Sequence, residues 1–342
     1  MGKLTKWGRR RGDNRAGKKA NYALIQSTEP DFAEAELDAV TGSDDPLAIP
    51  EFATEHSDDI LEQSDNTPPP LAPAGQNCPR IFALVGATGG VGTTCLATQL
   101  AHEFAVSNMP KQTSRRRPTD PTVCLIDLDF ESGACAHHLD LLPSLSLEDL
   151  CGPAEHIDKA FTQALVSTHE SGISLLAAPN TVGANARVNP QTIMAILDAA
   201  AELFDTVIID LPRYQQPWTL SVMRAVDLLG ITCELTIPSL HAARECLARL
   251  SATKNDPING HVILNKFEKR SFKNMLRLSD AETALGRSVL STLCIDPDTT
   301  REALNCGEPA GAIRPDSRFV KDVRKLAETL KTVDTIPLIK AA

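Results

Sequence analysis

A glycine-rich turn between a predicted strand and a predicted helix constrains this 342-residue chain more than any other stretch. The apolar run at residues 81–85 has the length of a buried strand, the turn GATGGVGTT spans residues 86–94, and helically spaced apolar residues follow. Strand, turn and helix in this order are the context of a phosphate-binding loop. Glycines let the backbone curl until several N–H groups point at one anion, beside the positive end of the helix. The sequence therefore predicts an α/β fold that contains such a loop.

The loop departs from the usual phosphate-binding pattern at one position. G-x-x-x-x-G-K-[ST] places a lysine before a hydroxyl residue that ligates nucleotide-bound Mg²⁺. Thr94 occupies the hydroxyl position, but Thr93 stands where the lysine is expected. Lysine there neutralises phosphate charge, including the charge that develops in phosphoryl transfer. We therefore predict nucleotide binding through backbone amides and Mg²⁺, with slow or absent hydrolysis. The alternative is a glycine turn that binds nothing.

Apolar runs of strand length alternate with helical patterns from residue 80 to about residue 330. This alternation is typical of a doubly wound, mostly parallel sheet with helices on both faces. Low aromatic content, 4% of the chain, predicts an aliphatic core. We expect one folded domain at residues 80–332.

Acidic residues end two of the predicted strands, at the edge where open α/β sheets bind ligands. Asp127 and Asp129 close one strand at spacing i, i+2, and Asp210 closes another. A buried strand that ends in one carboxylate is typical of a site that holds nucleotide-bound Mg²⁺. The alternative for Asp129 is a structural one, in which it caps the following turn at Ser132 and Gly133.

Charge and cysteine usage narrow the class of protein. The net charge is −10, which argues against a general nucleic-acid-binding surface. The nine cysteines form no C-x-x-C pair and no zinc-site spacing, as expected for reduced thiols in the cytoplasm. No run approaches the roughly 20 apolar residues of a membrane span.

The first 79 residues differ from the rest of the chain. Eight Lys and Arg residues and Trp7 lie within the first 19 positions, and residues 20–79 contain no Lys or Arg. Segregated charge and a proline-rich end predict a disordered tail and linker at residues 1–79. The basic head is a candidate for contact with an anionic membrane surface, with a solvated extension as the alternative. Residues 333–342 are predicted to be a short C-terminal tail.

Together the motifs resemble the CpaE/TadZ branch of the ParA/MinD ATPases, which are pilus-assembly proteins that accompany Tad-type secretion ATPases. The resemblance rests on the glycine loop and on five further segments, at residues 127–129, 169–179, 210–213, 237–240 and 263–266. The superfamily's loop, K-G-G-V-G-K-T-[ST], carries a second, signature lysine, and Thr88 stands in its place. Both lysines are therefore absent, which puts nucleotide-gated dimerisation through that lysine in doubt. Family members usually begin with a receiver-like domain, whereas this chain has a charged tail.

The resemblance implies roles for individual residues, with ATP or ADP and Mg²⁺ as cofactors. The residues implied to contact the nucleotide are Gly89, Gly90, Val91, Gly92, Thr93, Thr94, Cys95, Asn265, Lys266, Asp296 and Pro297. The last four are implied to lie near the adenine; for Asn265 the alternative is a strand-end turn cap. The residues implied to hold Mg²⁺ are Thr94, Asp127, Asp129 and Asp210. Asp129 and Asp210 are the implied catalytic pair.

The function implied by the resemblance is localisation or assembly of a Tad/Flp-type pilus or secretion system, with weak or absent ATP hydrolysis. The implied partners are pilus and secretion assembly proteins, including a secretion ATPase, and a second copy of the chain. The expected place is the cytoplasm, at the cell pole or the inner face of the membrane. One alternative is a slow ATPase switch between monomer and dimer, with Arg213 or another basic group replacing the lysines. The other is a DNA-partition ATPase, which the acidic charge disfavours.

Overall fold

The computed structural model describes residues 80–107, 122–214, 216–252, 258–268 and 276–332. The predicted tails at 1–79 and 333–342 lie outside these ranges, as does the polar insertion between the first helix and the second strand. No helix among the described residues is long and apolar enough to cross a membrane.

Eight strands of the described chain form one sheet, in the order β3-β4-β2-β5-β1-β6-β7-β8. Every neighbouring pair is parallel except β3 and β4, which are antiparallel. The strands are β1 Arg80–Gly86, β2 Val123–Asp127, β3 Ser167–Thr168, β4 Ser174–Ala177, β5 Thr206–Leu211, β6 Leu228–Cys233, β7 Gly260–Phe267 and β8 Ser291–Cys294. The doubly wound, mostly parallel sheet predicted from the sequence is confirmed.

Helices connect the strands and cover both faces of the sheet. They are α1 Thr93–Ser107, α2 Cys135–His138, α3 Leu147–Cys151, α4 Lys159–Leu165, α5 Pro190–Leu203, α6 Pro217–Ala225, α7 Ile237–Ser251, α8 Leu278–Leu285, α9 Pro297–Cys306, α10 Ala310–Ile313 and α11 Arg318–Leu330, with a 3₁₀ turn at Ala154–His156. Two apolar clusters lie on opposite faces of the sheet. Because both faces are covered, central strands such as β5 are buried at every position.

The order of the strands decides where the polar strand ends meet. β1 lies between β5 and β6, and β5 also pairs with β2, so that Asp127 lies in register with Asp210 and Asp210 with Leu84. The glycine loop leaves β1 at this same edge. The carboxyl ends of three neighbouring strands therefore surround one loop, as ligand sites in such sheets require.

Two helices begin earlier than the sequence pattern predicts. The sequence predicts a broken strand at residues 228–237 and a turn at residues 296–298, whereas in the structure α7 begins at Ile237 and α9 begins at Pro297. Proline favours this position because its missing N–H has no partner in the first helical turn. The side chains of Thr236 and Asp296 cap these helices by accepting backbone hydrogen bonds, from Ser239 N in the case of Thr236. Helix α6 had no counterpart in the prediction.

Candidate functional site

The glycine loop has the backbone of a phosphate-binding loop. Gly90 and Gly92 have φ of +75° and +85°, which L side chains adopt only with strain. A Cβ atom at Gly92 would lie 2.7 Å from the side-chain nitrogen of Asn265. The amide of Leu96 donates to the carbonyl of Gly92 at 3.0 Å, so α1 begins directly at the end of the loop. The loop therefore offers its backbone beside the positive end of a 15-residue helix.

Two side chains at the end of β7 hold the loop in place. Asn265 Nδ2 donates to the carbonyl of Val91 at 2.8 Å, and Lys266 Nζ donates to the carbonyl of Gly90. Lys266 also forms an ion pair with Glu234 at 2.8 Å and has a φ of +52°, an unusual value for a residue other than glycine. The predicted adenine contact of both residues stays a prediction. The structure places their side chains against the loop.

The two threonines that replace the lysines make contacts within the protein. Thr88 Oγ1 lies 3.2 Å from Ser239 Oγ at the start of α7, and Ser239 Oγ accepts from the amide of Glu234. Thr93 folds back over the start of the loop, since a Cβ atom at Gly86 would lie 2.9 Å from its hydroxyl. Neither side chain brings positive charge to the phosphate side of the loop.

Two buried carboxylates and a buried thiol form a cluster near the glycine loop. The side chains of Asp127, Cys135 and Asp210 have ligand atoms within 4.8 Å of one another. Cys135 donates its amide to Asp127 at 3.0 Å and its thiol to Asp210 at 3.7 Å. The side chain of Thr94 also interacts with Asp210 and lowers the pKa of that carboxyl group, against the effect of burial. No motif in the sequence pointed to Cys135, which reaches this position only because the turn after β2 folds back.

Burial is the largest cause of the raised pKa values of Asp127, Cys135 and Asp210. Burial first, and then the charge of Asp127, raise the pKa of Asp210 above its ordinary value. Burial likewise raises the pKa of Asp127, and it holds the pKa of Cys135 well above that of a free thiol. Two neighbouring buried carboxyl groups ionise together only beside a cation, and carboxylate and hydroxyl oxygens are the ligands that Mg²⁺ prefers. The donor set of Thr94, Asp127 and Asp210 therefore fits Mg²⁺.

Asp129 differs from the other two acids. It is only partly buried and lines the cavity above the loop. Its carboxylate accepts the amide of Ser132 at 3.0 Å, and its carbonyl accepts the amide of Gly133 at 2.7 Å. The structure thus shows the turn cap that was the alternative interpretation, in a residue that also lines the cavity.

A cavity of about 620 Å³ opens beside the loop and Thr94. Asp129, Glu131 and Asp210 line it together with Arg213 and His138. Burial, with a contribution from neighbouring His137, lowers the pKa of His138 to about 4, so this imidazole is neutral at neutral pH. Arg213 is therefore the single positive charge among the described residues that line the cavity.

Asn185 is a further lining residue that sequence reasoning missed. It is 8% exposed, and its side-chain oxygen has no hydrogen-bond partner in the described part of the protein. Buried acceptors are nearly always satisfied in native proteins, so this oxygen is available to a donor that enters the cavity, either water or a ligand. It lies in the long connection between β4 and α5, which carries no recognisable motif.

Asp296 and Pro297 lie apart from this cavity. Asp296 caps α9 by accepting the amide of Thr299 at 3.1 Å. It lines a separate groove of about 530 Å³ with Arg314 and Asp316, and none of the described residues along that groove belongs to the glycine loop. The structure thus brings together the predicted phosphate and metal residues and leaves the predicted adenine residues outside their cavity.

Comparisons with known proteins agree with the fold. Residues 175–330 match the model of the family described as cellulose biosynthesis protein BcsQ. The structure is similar to a ParA family ATPase from Chlorobium tepidum TLS, with 24% identity, a TM-score of 0.64, and coverage of 74% of this chain and 99% of that one. No curated protein matches the sequence.

Two further solved structures are similar at lower identity. One is the septum site-determining protein MinD complexed with Mg-ADP from Pyrococcus horikoshii OT3, at 18% identity, TM-score 0.58, and 75% and 98% coverage. The other is the MinC:MinD cell division protein complex of Aquifex aeolicus, at 17% identity, TM-score 0.59, and 77% and 99% coverage. These similarities establish a ParA/MinD-type fold. The narrower resemblance to the CpaE/TadZ branch stays a prediction.

Proposed function

We propose that this chain, which has the fold of the ParA/MinD ATPases, is a nucleotide-binding localisation or assembly factor that hydrolyses ATP weakly or not at all. The observation that supports this most is the survival of the loop geometry without its lysines. Gly90 and Gly92 keep the left-handed backbone, and Thr94 lies at the helix start beside Asp210. Thr88 and Thr93 supply no charge. A site of this kind binds phosphate through amides, a helix dipole and a metal ion.

Different residues of the site bind the phosphates and the metal ion. The loop amides and the start of α1 bind the phosphates, while Thr94 and Asp210 hold Mg²⁺ with Asp127 beside them. A bound Mg²⁺ supplies charge that neutralises the phosphate oxygens. It also satisfies Asp127 and Asp210, whose ionised forms burial otherwise disfavours.

Weak turnover follows from what the loop lacks. Phosphoryl transfer is catalysed mainly by positioned positive charge around the transferring group. The predicted water-positioning carboxylate, Asp129, is already engaged by Ser132 in the turn after β2. The slow ATPase switch remains the alternative, and it requires another cation to take over the role of the lysines.

For the cellular role we propose assembly of a multiprotein machine at the inner face of the membrane. The motif resemblance favours a Tad/Flp-type pilus or secretion system with its secretion ATPase. The family-model match over residues 175–330 supports a second candidate, a cellulose-synthesis machine. The MinC:MinD complex supports a protein partner for a chain of this fold. A second copy of the chain as a partner rests on the motif resemblance. Contact of the basic N-terminal head with anionic lipid is part of the same proposal.

Calorimetric titration of the full-length protein with ATP and ADP, with and without Mg²⁺, tests nucleotide binding. We expect Mg²⁺-dependent binding that Asp210→Ala weakens by about tenfold, because this variant removes a charged metal ligand. Asp198→Ala is the matched control, since it removes an exposed carboxylate on α5. If no heat of binding is measured up to millimolar nucleotide, the site does not bind nucleotide and the protein acts as a scaffold instead.

Affinity capture in the native host tests whether the protein assembles with a pilus or secretion system or with a cellulose-synthesis machine. A tagged full-length protein that retains a secretion ATPase supports the pilus assignment. Retention of cellulose synthase subunits supports the second candidate. Capture of neither at native expression levels would contradict both.

A further inference from the structure

We propose that Arg213 binds the terminal phosphate of the nucleotide from the end of β5, as an exposed side chain that adds affinity for the third phosphate without rebuilding the preorganised positive charge of the missing lysines. This inference rests on the proposed nucleotide binding and names the residue that contacts the third phosphate of a nucleoside triphosphate. Arg213 follows Asp210 by three residues, so one strand end delivers both the metal ligand and the cation. Leu211 and Pro212 between them are buried, which fixes the backbone from which the arginine extends.

Position is the first argument. The guanidinium lies beside the loop, where a Cβ atom at Gly89 would be 3.7 Å from Arg213 Nη1 and within 4 Å of no other atom outside its immediate neighbours. Gly89 lies four residues before the first residue of α1, on the half of the loop remote from the helix. An anion held there lies farther out than the phosphates over the helix start.

Charge is the second argument. Of the described residues that line the cavity, three are acidic and only Arg213 is cationic at neutral pH. A triphosphate brought into that surrounding without a cation is repelled. Lys266, the other cation near the loop, is engaged by Glu234 and the carbonyl of Gly90 and does not line the cavity. Among the residues that the structure describes, the outermost phosphate therefore has one cation within reach.

The present contacts of Arg213 are easily exchanged. Its side chain hydrogen-bonds the hydroxyl of Tyr214 and stacks over that ring, with the guanidinium carbon 4.3 Å from the ring centre. Tyr214 is 69% exposed, and no carboxylate of the described residues pairs with Arg213. An exposed cation–π contact is weak. A phosphate offers two oxygens to the planar fork of a guanidinium, which is a stronger interaction.

The test measures the affinity of full-length protein for Mg²⁺-AMPPNP, which carries a non-hydrolysable third phosphate, and for Mg²⁺-ADP. We expect Arg213→Ala to weaken AMPPNP binding about tenfold and to change ADP binding less than about twofold. Arg213→Lys restores part of the AMPPNP affinity because it keeps a charge without the planar fork. Arg224→Ala, an exposed arginine on α6, leaves both affinities unchanged and controls for net charge.

Tyr214→Ala provides an independent readout. Since the ring competes with phosphate for the guanidinium, its removal is expected to tighten AMPPNP binding about twofold or more without affecting ADP. A merely structural role for the pair predicts weaker binding of both nucleotides in every variant. If Arg213→Ala binds both nucleotides like the wild type, this inference is overturned and nucleotide binding stands. If the wild type binds neither nucleotide, the proposed function fails, and the inference fails with it.

Discussion

Two groups of side chains flank the glycine loop, and they differ in whether their polar atoms are paired within the protein or line a cavity. The β7 flank consists of Asn265, Lys266 and Glu234, whose polar groups are paired with the loop or with one another. The β5 flank consists of Asp210 and Arg213 together with Tyr214, and these side chains face an open cavity. The β7 flank fixes the shape of the loop, and the β5 flank leaves polar groups for a ligand. The comparison shows how a loop keeps a binding conformation after its own charged residues are gone.

The largest expected effect comes from a substitution that disrupts the contact between the loop and the β7 flank. Gly92→Ala forces a side chain onto a φ of +85° and into the amide of Asn265, 2.7 Å away. We expect a loss of about 2–4 kcal/mol in the free energy of unfolding, from backbone strain plus a displaced buried hydrogen bond. Urea unfolding measures it. Gly90→Ala is the control, because its φ of +75° brings similar strain but no atom lies within 4 Å. It should lose only about 1–2 kcal/mol. Equal losses would mean that the Asn265 contact does not matter.

The next effect concerns the β5 flank and depends on pH. The folded-state pKa of Asp210 is raised, so its favourable protonated state is complete below the ordinary carboxyl pKa and is lost as pH rises through the raised value. Asp210→Asn cannot ionise. Without nucleotide, we expect its melting temperature to exceed that of the wild type increasingly from about pH 5 to about pH 9, by about 2–4 °C at the alkaline end. Exposed Asp198→Asn should show no such trend. A pH-independent difference would contradict the raised pKa.

The smallest effect concerns Lys266 in the β7 flank and compares two substitutions of this one residue. The side chains of Lys266 and Glu234 are 40% and 30% exposed, so Lys266→Ala should cost less than about 1 kcal/mol. Lys266→Gly should be the more stable of the two variants by about 1 kcal/mol, since glycine adopts a φ of +52° without strain. Thermal unfolding compares them, with Lys321→Ala as the control for loss of an exposed ion pair. A less stable glycine variant would show that the backbone at this position is not strained.

The sequence was sufficient for the sheet and for the loop. Apolar runs locate the strands because parallel strands buried on both faces need them. Glycine spacing locates the loop because only glycine takes the left-handed backbone at Gly90 and Gly92 without strain. The acids at strand ends were found for the same reason, since the carboxyl edge of the sheet is known once the strands are.

The partners of these residues could not be derived from local pattern. Cys135 lies beside Asp210 across 75 residues of sequence, and Asn265 reaches Val91 across 174. Such contacts follow from the strand order, which periodicity does not give. The starts of α7 and α9 differ from the prediction for another reason, since a proline breaks a helix in its interior but is favoured in its first turn.

The short strand β3 bears on what the border of the sheet offers to another chain. Ser167–Thr168 is a two-residue strand at one border of the sheet and runs antiparallel to β4. A border strand is a template on which another chain can add a strand, and natural proteins guard against this by keeping such strands very short. The sheet therefore resists extension into a continuous intermolecular sheet on that side, and a contact made there depends on side chains instead of backbone pairing.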